Sequence, residues 1–111
     1  MKFKELLTER EKNPNYTKQI AAIQKMGFQP DPDMGIGSYI TNLFKDDLMV
    51  SIESQSSPDE VISLGVPLSN KLTKLIPAAK RGRYEDTSIF FASIAELKKF
   101  LAGKKSKFKA Y

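Results

Sequence analysis

Apolar residues recur at helical spacing in the segment that follows Pro14. One stripe consists of Tyr16, Ile20, Ile23 and Met26. Asn13 is suited to the N-cap, and Pro14 to the first helical position, where its missing N–H costs nothing. Gly27 supplies the left-handed residue that often follows a helix. The pattern therefore predicts a helix over residues 14–26.

The first residues of the chain have the same kind of spacing. Phe3, Leu6 and Leu7 fall at positions i, i+3 and i+4, and charged residues lie between them. This spacing predicts a short amphipathic helix over residues 2–12, which ends before Asn13.

A further helix is predicted near the C-terminus. Ser93 and Glu96 have the spacing of a capping box, in which each side chain satisfies a free backbone amide of the other residue. The apolar face that follows contains Leu97, Phe100 and Leu101. Gly103 is placed to end the helix, which we expect at about residues 94–102.

Alternation of apolar and polar residues predicts the strands. Residues 38–44 and 48–54 alternate on either side of the polar break Lys45-Asp46-Asp47, which is typical of an antiparallel hairpin. Residues 60–66 alternate in the same way and predict a third strand. Residues 86–91 are β-branched and aromatic, which predicts a fourth strand.

The order of these elements predicts one α+β domain over residues 1–111, with a small antiparallel sheet of three to four strands covered by N- and C-terminal helices. Residues 28–37 are rich in Pro, Asp and Gly and are predicted to be a loop. Residues 67–83 have partial helical spacing, which Pro77 ends early. The basic residues 104–111 are predicted to be a mobile tail.

The composition narrows the classes of function. The chain contains neither Cys nor His, which excludes disulfides, thiol nucleophiles, histidine bases and the commonest zinc sites. These absences favour a binding or structural protein over an enzyme, with no catalytic residue, metal or cofactor predicted. No apolar run approaches the ~20 residues that a bilayer-spanning helix needs, and no secretory signal pattern is seen at the N-terminus.

Positive charge is concentrated in the last third of the chain. Residues 71–111 contain 11 Lys and Arg against 3 acidic residues, whereas residues 1–70 contain 7 against 10. Two basic clusters are the candidate binding residues: Lys71, Lys74, Lys80, Arg81 and Arg83 around one loop, and Lys104, Lys105, Lys107 and Lys109 after the last helix. Such clusters are typical of a surface for an acidic protein or a nucleic acid, or of a solvated face.

Aromatic residues are interleaved with these cations. Tyr84, Phe108 and Tyr111 could stack on bases if the partner were a nucleic acid. No helix-turn-helix, RNA-recognition or zinc-finger motif accompanies them, so the sequence predicts at most non-specific contact with phosphates.

Acidic residues supply the one enzymatic alternative, a metal-dependent nuclease. Pro32-Asp33 matches the first half of the restriction-endonuclease-like pattern, but Glu53-Ser54-Gln55 lacks the lysine of the second half. Glu96-Leu97-Lys98 has the required order of residues, but it lies on a predicted helix, whereas the pattern requires a strand. Gly35-Ile36-Gly37 lacks the third glycine of a dinucleotide-binding loop and is predicted to lead into the hairpin.

The residues from Met1 to Glu9 resemble a known targeting signal. Met1-Lys2-Phe3 at the start and Leu7-Thr8-Glu9 at the end resemble the targeting peptide of internal head proteins of T4-like bacteriophages. The resemblance implies cleavage after Glu9, packaging with DNA in the virion and, for some members, countering of host defence. It covers residues 1–9 only.

The sequence therefore predicts a non-enzymatic macromolecular interaction protein, expected to be a phage-encoded virion or host-defence-countering protein, in the host cytoplasm or the virion. A non-specific nucleic-acid-binding protein is the alternative, and the nuclease is a remote one. The partner, protein or nucleic acid, is left open.

Overall fold

A computed structural model of the protein describes residues 15–54, 60–82 and 86–110. The helices in these residues are α1 (Tyr16–Lys25) and α2 (Ile94–Leu101), with 3-10 helices at Lys71–Leu75 and Ala78–Lys80. The strands are β1 (Gln29–Pro30), β2 (Ile40–Lys45), β3 (Leu48–Glu53), β4 (Ile62–Val66), β5 (Thr87–Phe91) and β6 (Lys109–Ala110).

The six strands form one antiparallel sheet in the order of the sequence. Leu43, Val50, Leu64 and Ile89 are opposite one another on successive strands, so a row of buried side chains crosses the sheet. This register follows from the alternation of the strands, because a slip of one residue would turn the apolar side chains outward. The predicted α+β class is confirmed.

Both helices pack on the same face of this sheet. Helix α1 contacts β2, β3 and α2, and α2 contacts β5 and the first 3-10 helix. Ile20 and Ile23 of α1 and Leu97 and Phe100 of α2 are buried, as the helical spacing predicts. The core therefore lies between one layer of helices and one face of the sheet.

The predicted count of three to four strands is wrong, because the sheet has two additional short strands at its edges. Gln29 of β1 pairs with Phe44, within the segment that the sequence predicts as a loop. Lys109 of β6 pairs with Phe90 at the other edge. A two-residue strand is too short to show an alternating pattern, so only its pairing reveals it.

The C-terminal residues do not form the predicted mobile tail. The chain turns back after α2, and Ala110 pairs with Ile89 of β5. The ring of Phe108 lies 6.0 Å from that of Phe91 and 5.4 Å from that of Phe100, measured between centroids. Packing of the Phe108 ring stabilises the return of the chain to the sheet, while Lys104, Lys105, Lys107 and Lys109 stay exposed to solvent.

The helix ends match the sequence in part. Helix α1 begins at Tyr16 rather than residue 14, and Gly27 has the expected positive φ of 100°. In α2, Ser93 Oγ accepts a hydrogen bond from the Glu96 N–H at 3.3 Å, which is one half of the capping box. The Glu96 carboxylate accepts from the Lys107 N–H at 3.2 Å.

The partial helical pattern after Asn70 forms a 3-10 helix, which Asn70 caps by accepting from the Leu72 N–H at 2.8 Å. The predicted helix over residues 2–12, its stop at Asn13 and the targeting-like residues 1–9 lie outside the described residues.

Candidate interaction surfaces

The first predicted basic cluster lies on and after the two 3-10 helices. Lys71, Lys74 and Lys80 are exposed. Arg81 is half-buried, and its guanidinium donates to the carbonyl oxygens of Ile76 at 2.8 Å and of Lys74 at 3.4 Å. Arg81 therefore fixes the backbone between the 3-10 helices, and Arg83 lies outside the described residues.

The second predicted cluster is divided by the return of the chain to the sheet. It contains Lys104, Lys105, Lys107 and Lys109. The first two are exposed beyond α2, whereas the Lys109 Nζ lies 3.7 Å from Glu60 Oε1 at the sheet edge. The structure therefore separates these lysines over two parts of the surface.

One of the aromatic residues expected to stack on bases packs inside the protein. Phe108 is half-buried against Phe91 and Phe100 in the core. Tyr84 and Tyr111 lie outside the described residues. Of the three aromatic residues, the structure describes Phe108 alone, and its ring packs against the core.

The sheet surface opposite the helices, called the open face, carries uncharged side chains in its centre. By strand alternation and register it contains Ile40, Asn42, Phe44, Met49, Ser51, Ser63, Gly65, Ser88 and Phe90, together with two charged residues, Glu53 at the end of β3 and Lys109 on the edge strand β6. Phe44 and Met49 are register partners on β2 and β3, and Ile40 lies on the same side of β2. The exposed fractions are 47% for Ile40, 40% for Phe44 and 37% for Met49.

The large exposed hydrophobic residues are concentrated around this hairpin. Six of the seven in the described residues lie between positions 34 and 49: Met34, Ile36, Tyr39, Ile40, Phe44 and Met49. Scattered exposed apolar residues are ordinary, but a concentration of them marks an interaction surface.

Aspartates lie next to the hairpin strands, before β2 and in the turn between β2 and β3. Asp31 and Asp33 lie in the loop before β2, and Asp46 and Asp47 form the hairpin turn. Lys45 is the only basic residue in positions 29–54, and its Nζ donates to the Met26 carbonyl oxygen at 2.9 Å. The hairpin therefore presents an apolar surface with an acidic border.

The nuclease alternative gains no geometric support. Asp31 Oδ1 accepts from the N–H groups of Asp33 and Met34, which makes these residues an ordinary turn. Within residues 15–54, 60–82 and 86–110, no three His, Cys, Asp or Glu residues are grouped to hold a metal ion. Gly35-Ile36-Gly37 lies in the loop that leads into β2, as the sequence predicts. Within this loop the Gly37 N–H donates to Thr41 Oγ1 of β2.

Sequence reasoning identified the open face only in part and missed a second group of cations. The alternation of β3 predicts that Met49 faces outward, but it does not show that Ile40 and Phe44 lie beside Met49 on the side of the sheet away from the helices. Lys18 and Lys25 lie on one face of α1, and the packing of α2 brings Lys98 beside them. The seven-residue spacing of Lys18 and Lys25, which places both on one face of a helix, was the signal that the sequence offered.

No protein-family model matches the chain, and no curated protein or solved structure was found that matches it. Among the described helices, none combines the length and the apolar character that crossing a membrane requires.

Proposed function

We propose that the protein is a non-enzymatic interaction protein that binds a protein partner through the open face. The observation that carries this proposal is the sheet surface on which Ile40, Phe44 and Met49 are exposed beside the uncharged residues Asn42 and Ser51. A well-packed protein interface has an apolar, charge-depleted centre in which a few large side chains supply most of the binding free energy. The open face has this composition.

The acidic border indicates the chemistry of the partner. Asp31 and Asp33 precede β2 and Asp46 lies in the hairpin turn, whereas the Asp47 carboxylate accepts a hydrogen bond from Asn70 Nδ2 at 2.8 Å. The one lysine of the hairpin segment donates to the Met26 carbonyl oxygen after α1. A nucleic-acid backbone would be repelled at this border, whereas a protein with an apolar centre and a basic rim is complementary to it. We therefore assign a basic protein surface to the open face.

A virion or host-defence-countering role is part of the same proposal. It is supported by the resemblance of residues 1–9 to the targeting peptide of internal head proteins. Mass analysis of the protein taken from virions tests it, since a chain that still begins at Met1 contradicts cleavage after Glu9.

Affinity capture with matched variants tests the proposed surface. Phe44→Ser combined with Met49→Ser removes two exposed apolar groups and is expected to lower capture of the partner from an extract of the source cells about tenfold or more. Leu68→Ser is the control, because Leu68 is 38% exposed and lies outside the open face. It is expected to capture the partner as the unmodified protein does.

The capture is run with nuclease, and thermal unfolding establishes that each variant is folded. Equal capture by the double variant, or capture that nuclease abolishes, contradicts the proposal. Sedimentation of the purified protein gives a further check. A dimer that the double variant converts to a monomer would mean that a second copy, and not another protein, covers the open face.

A further inference from the structure

The helical side of the molecule has the opposite charge. Residues 15–28 and 93–105 contain one acidic residue, Glu96, and six lysines: Lys18, Lys25, Lys98, Lys99, Lys104 and Lys105. The carboxylate of Glu96 already has two partners, because it lies 3.5 Å from the Lys99 Nζ and accepts a hydrogen bond from the Lys107 N–H. The surface of the helical layer is therefore strongly cationic.

Three of these lysines surround a groove between α1 and α2. Lys18 and Lys25 line one side and Lys98 the other, over a floor of Ala21, Ala22 and Met26. The groove has a volume of about 470 Å³. The side chains of these three lysines form no hydrogen bond or ion pair with another described residue.

The spacing of the two lysines on α1 suits a repeating anion. Lys18 and Lys25 are two helical turns apart, which places their backbones about 10 Å from each other. A nucleic-acid strand carries closely spaced negative charges, so two lysines at this distance can contact phosphates of the same strand. The small side chains of Ala21 and Ala22 between them leave room for a backbone to approach.

A second groove extends the cationic surface to the other side of α2. Lys71 and Lys74 of the first 3-10 helix line it together with Leu101 and Gly103 at the end of α2. Its volume is about 340 Å³. Helix α2 thus lies between two grooves whose charged lining residues are all lysines.

We propose that these two grooves bind the phosphodiester backbone of a nucleic acid without reading its sequence. Lysine is depleted at the centre of protein interfaces, which argues against a protein in the grooves. A membrane-binding helix buries Trp, Phe or Leu beside its basic residues. None of the large exposed hydrophobic residues of the described chain lies on α1 or α2, so a lipid surface fits less well.

The proposal predicts how steeply the binding constant falls as the salt concentration rises. Five lysines line the two grooves: Lys18, Lys25, Lys71, Lys74 and Lys98. Each phosphate neutralised on a duplex contributes about −0.9 to the slope of log K against log salt concentration, so five contacts predict a slope of about −4.5.

The test measures binding of the full-length protein to a fluorescent duplex of about 20 base pairs over a range of salt concentrations. Lys18→Gln with Lys98→Gln is expected to reduce the size of the slope by about 1.8 and to weaken binding at low salt several-fold. The control, Lys80→Gln with Lys107→Gln, removes the same charge outside both grooves and is expected to keep the slope.

Absence of binding at low salt overturns the inference, as does an equal loss of slope in both double variants. Vesicles that contain phosphatidylserine form the other arm of the test. Binding to the vesicles with no binding to the duplex overturns the inference in favour of a lipid surface. The assay uses purified protein without a protein partner, so its result is independent of the function proposed for the open face.

Discussion

Tyr16 ties the first helix to the loop that enters the hairpin. Its hydroxyl donates to the Gly37 carbonyl oxygen at 2.7 Å and lies at hydrogen-bond distance, 2.7 Å, from Thr41 Oγ1. The Gly37 N–H in turn donates to Thr41 Oγ1 at 3.0 Å. Thr41 is buried, and these bonds satisfy its hydroxyl. The sequence predicts a loop from the Gly35-x-Gly37 pair, but it does not show that Tyr16, distant along the chain, meets the second glycine.

Gly37 also allows a close approach of the backbone. A Cβ atom at this position would overlap the carbonyl oxygen of Ile40. We expect Gly37→Ala to lower the free energy of unfolding, measured in urea, by about 1–3 kcal/mol. Gly65→Ala is the control, because the nearest atom to its Cβ would be the Met49 oxygen at 3.8 Å, an ordinary contact. Equal stability of the two variants would contradict this account of the loop.

Among the helices and strands, the length of each element determines whether the sequence pattern could predict it. Strand β3 alternates over six residues, and its register with β2 follows from the pattern. Strands β1 and β6 have two residues each, and long-range pairing alone defines them. The 3-10 helix at Lys71–Leu75 shares its apolar spacing with an α-helix over so short a segment, so its type could not be predicted.

The C-terminal strand gives a prediction at this scale. Phe108→Ala removes the ring that packs against Phe91 and Phe100, and we expect it to lower the free energy of unfolding by about 2 kcal/mol, since Phe108 is half-buried. Lys105→Ala, at an exposed position in the same segment, is expected to change it by less than about 0.5 kcal/mol. If urea unfolding shows no difference between the variants, residues 104–110 behave as the tail that the sequence predicted.

The whole molecule separates its charges by face. The sequence shows that residues 71–111 are basic, but it cannot show that Lys18 and Lys25, in the more acidic part of the chain, lie beside Lys98. That proximity arises from the packing of α1 against α2, which is a tertiary contact. Because both helices pack on one side of the sheet, they leave the other side uncovered, and Ile40, Phe44 and Met49 are exposed there. The two proposed binding surfaces are therefore on opposite sides of the sheet.

Photo-crosslinking from the open face tests the central claim most directly. Phe44 is replaced by the photo-reactive analogue p-benzoylphenylalanine, and Ala21, exposed in the groove between the helices, is replaced in a control protein. Irradiation in an extract of the source cells is expected to join position 44, but not position 21, to a protein whose crosslinked peptide carries basic residues beside apolar ones. No crosslinked protein at position 44, or the same protein at both positions, would contradict the claim that the open face binds a protein.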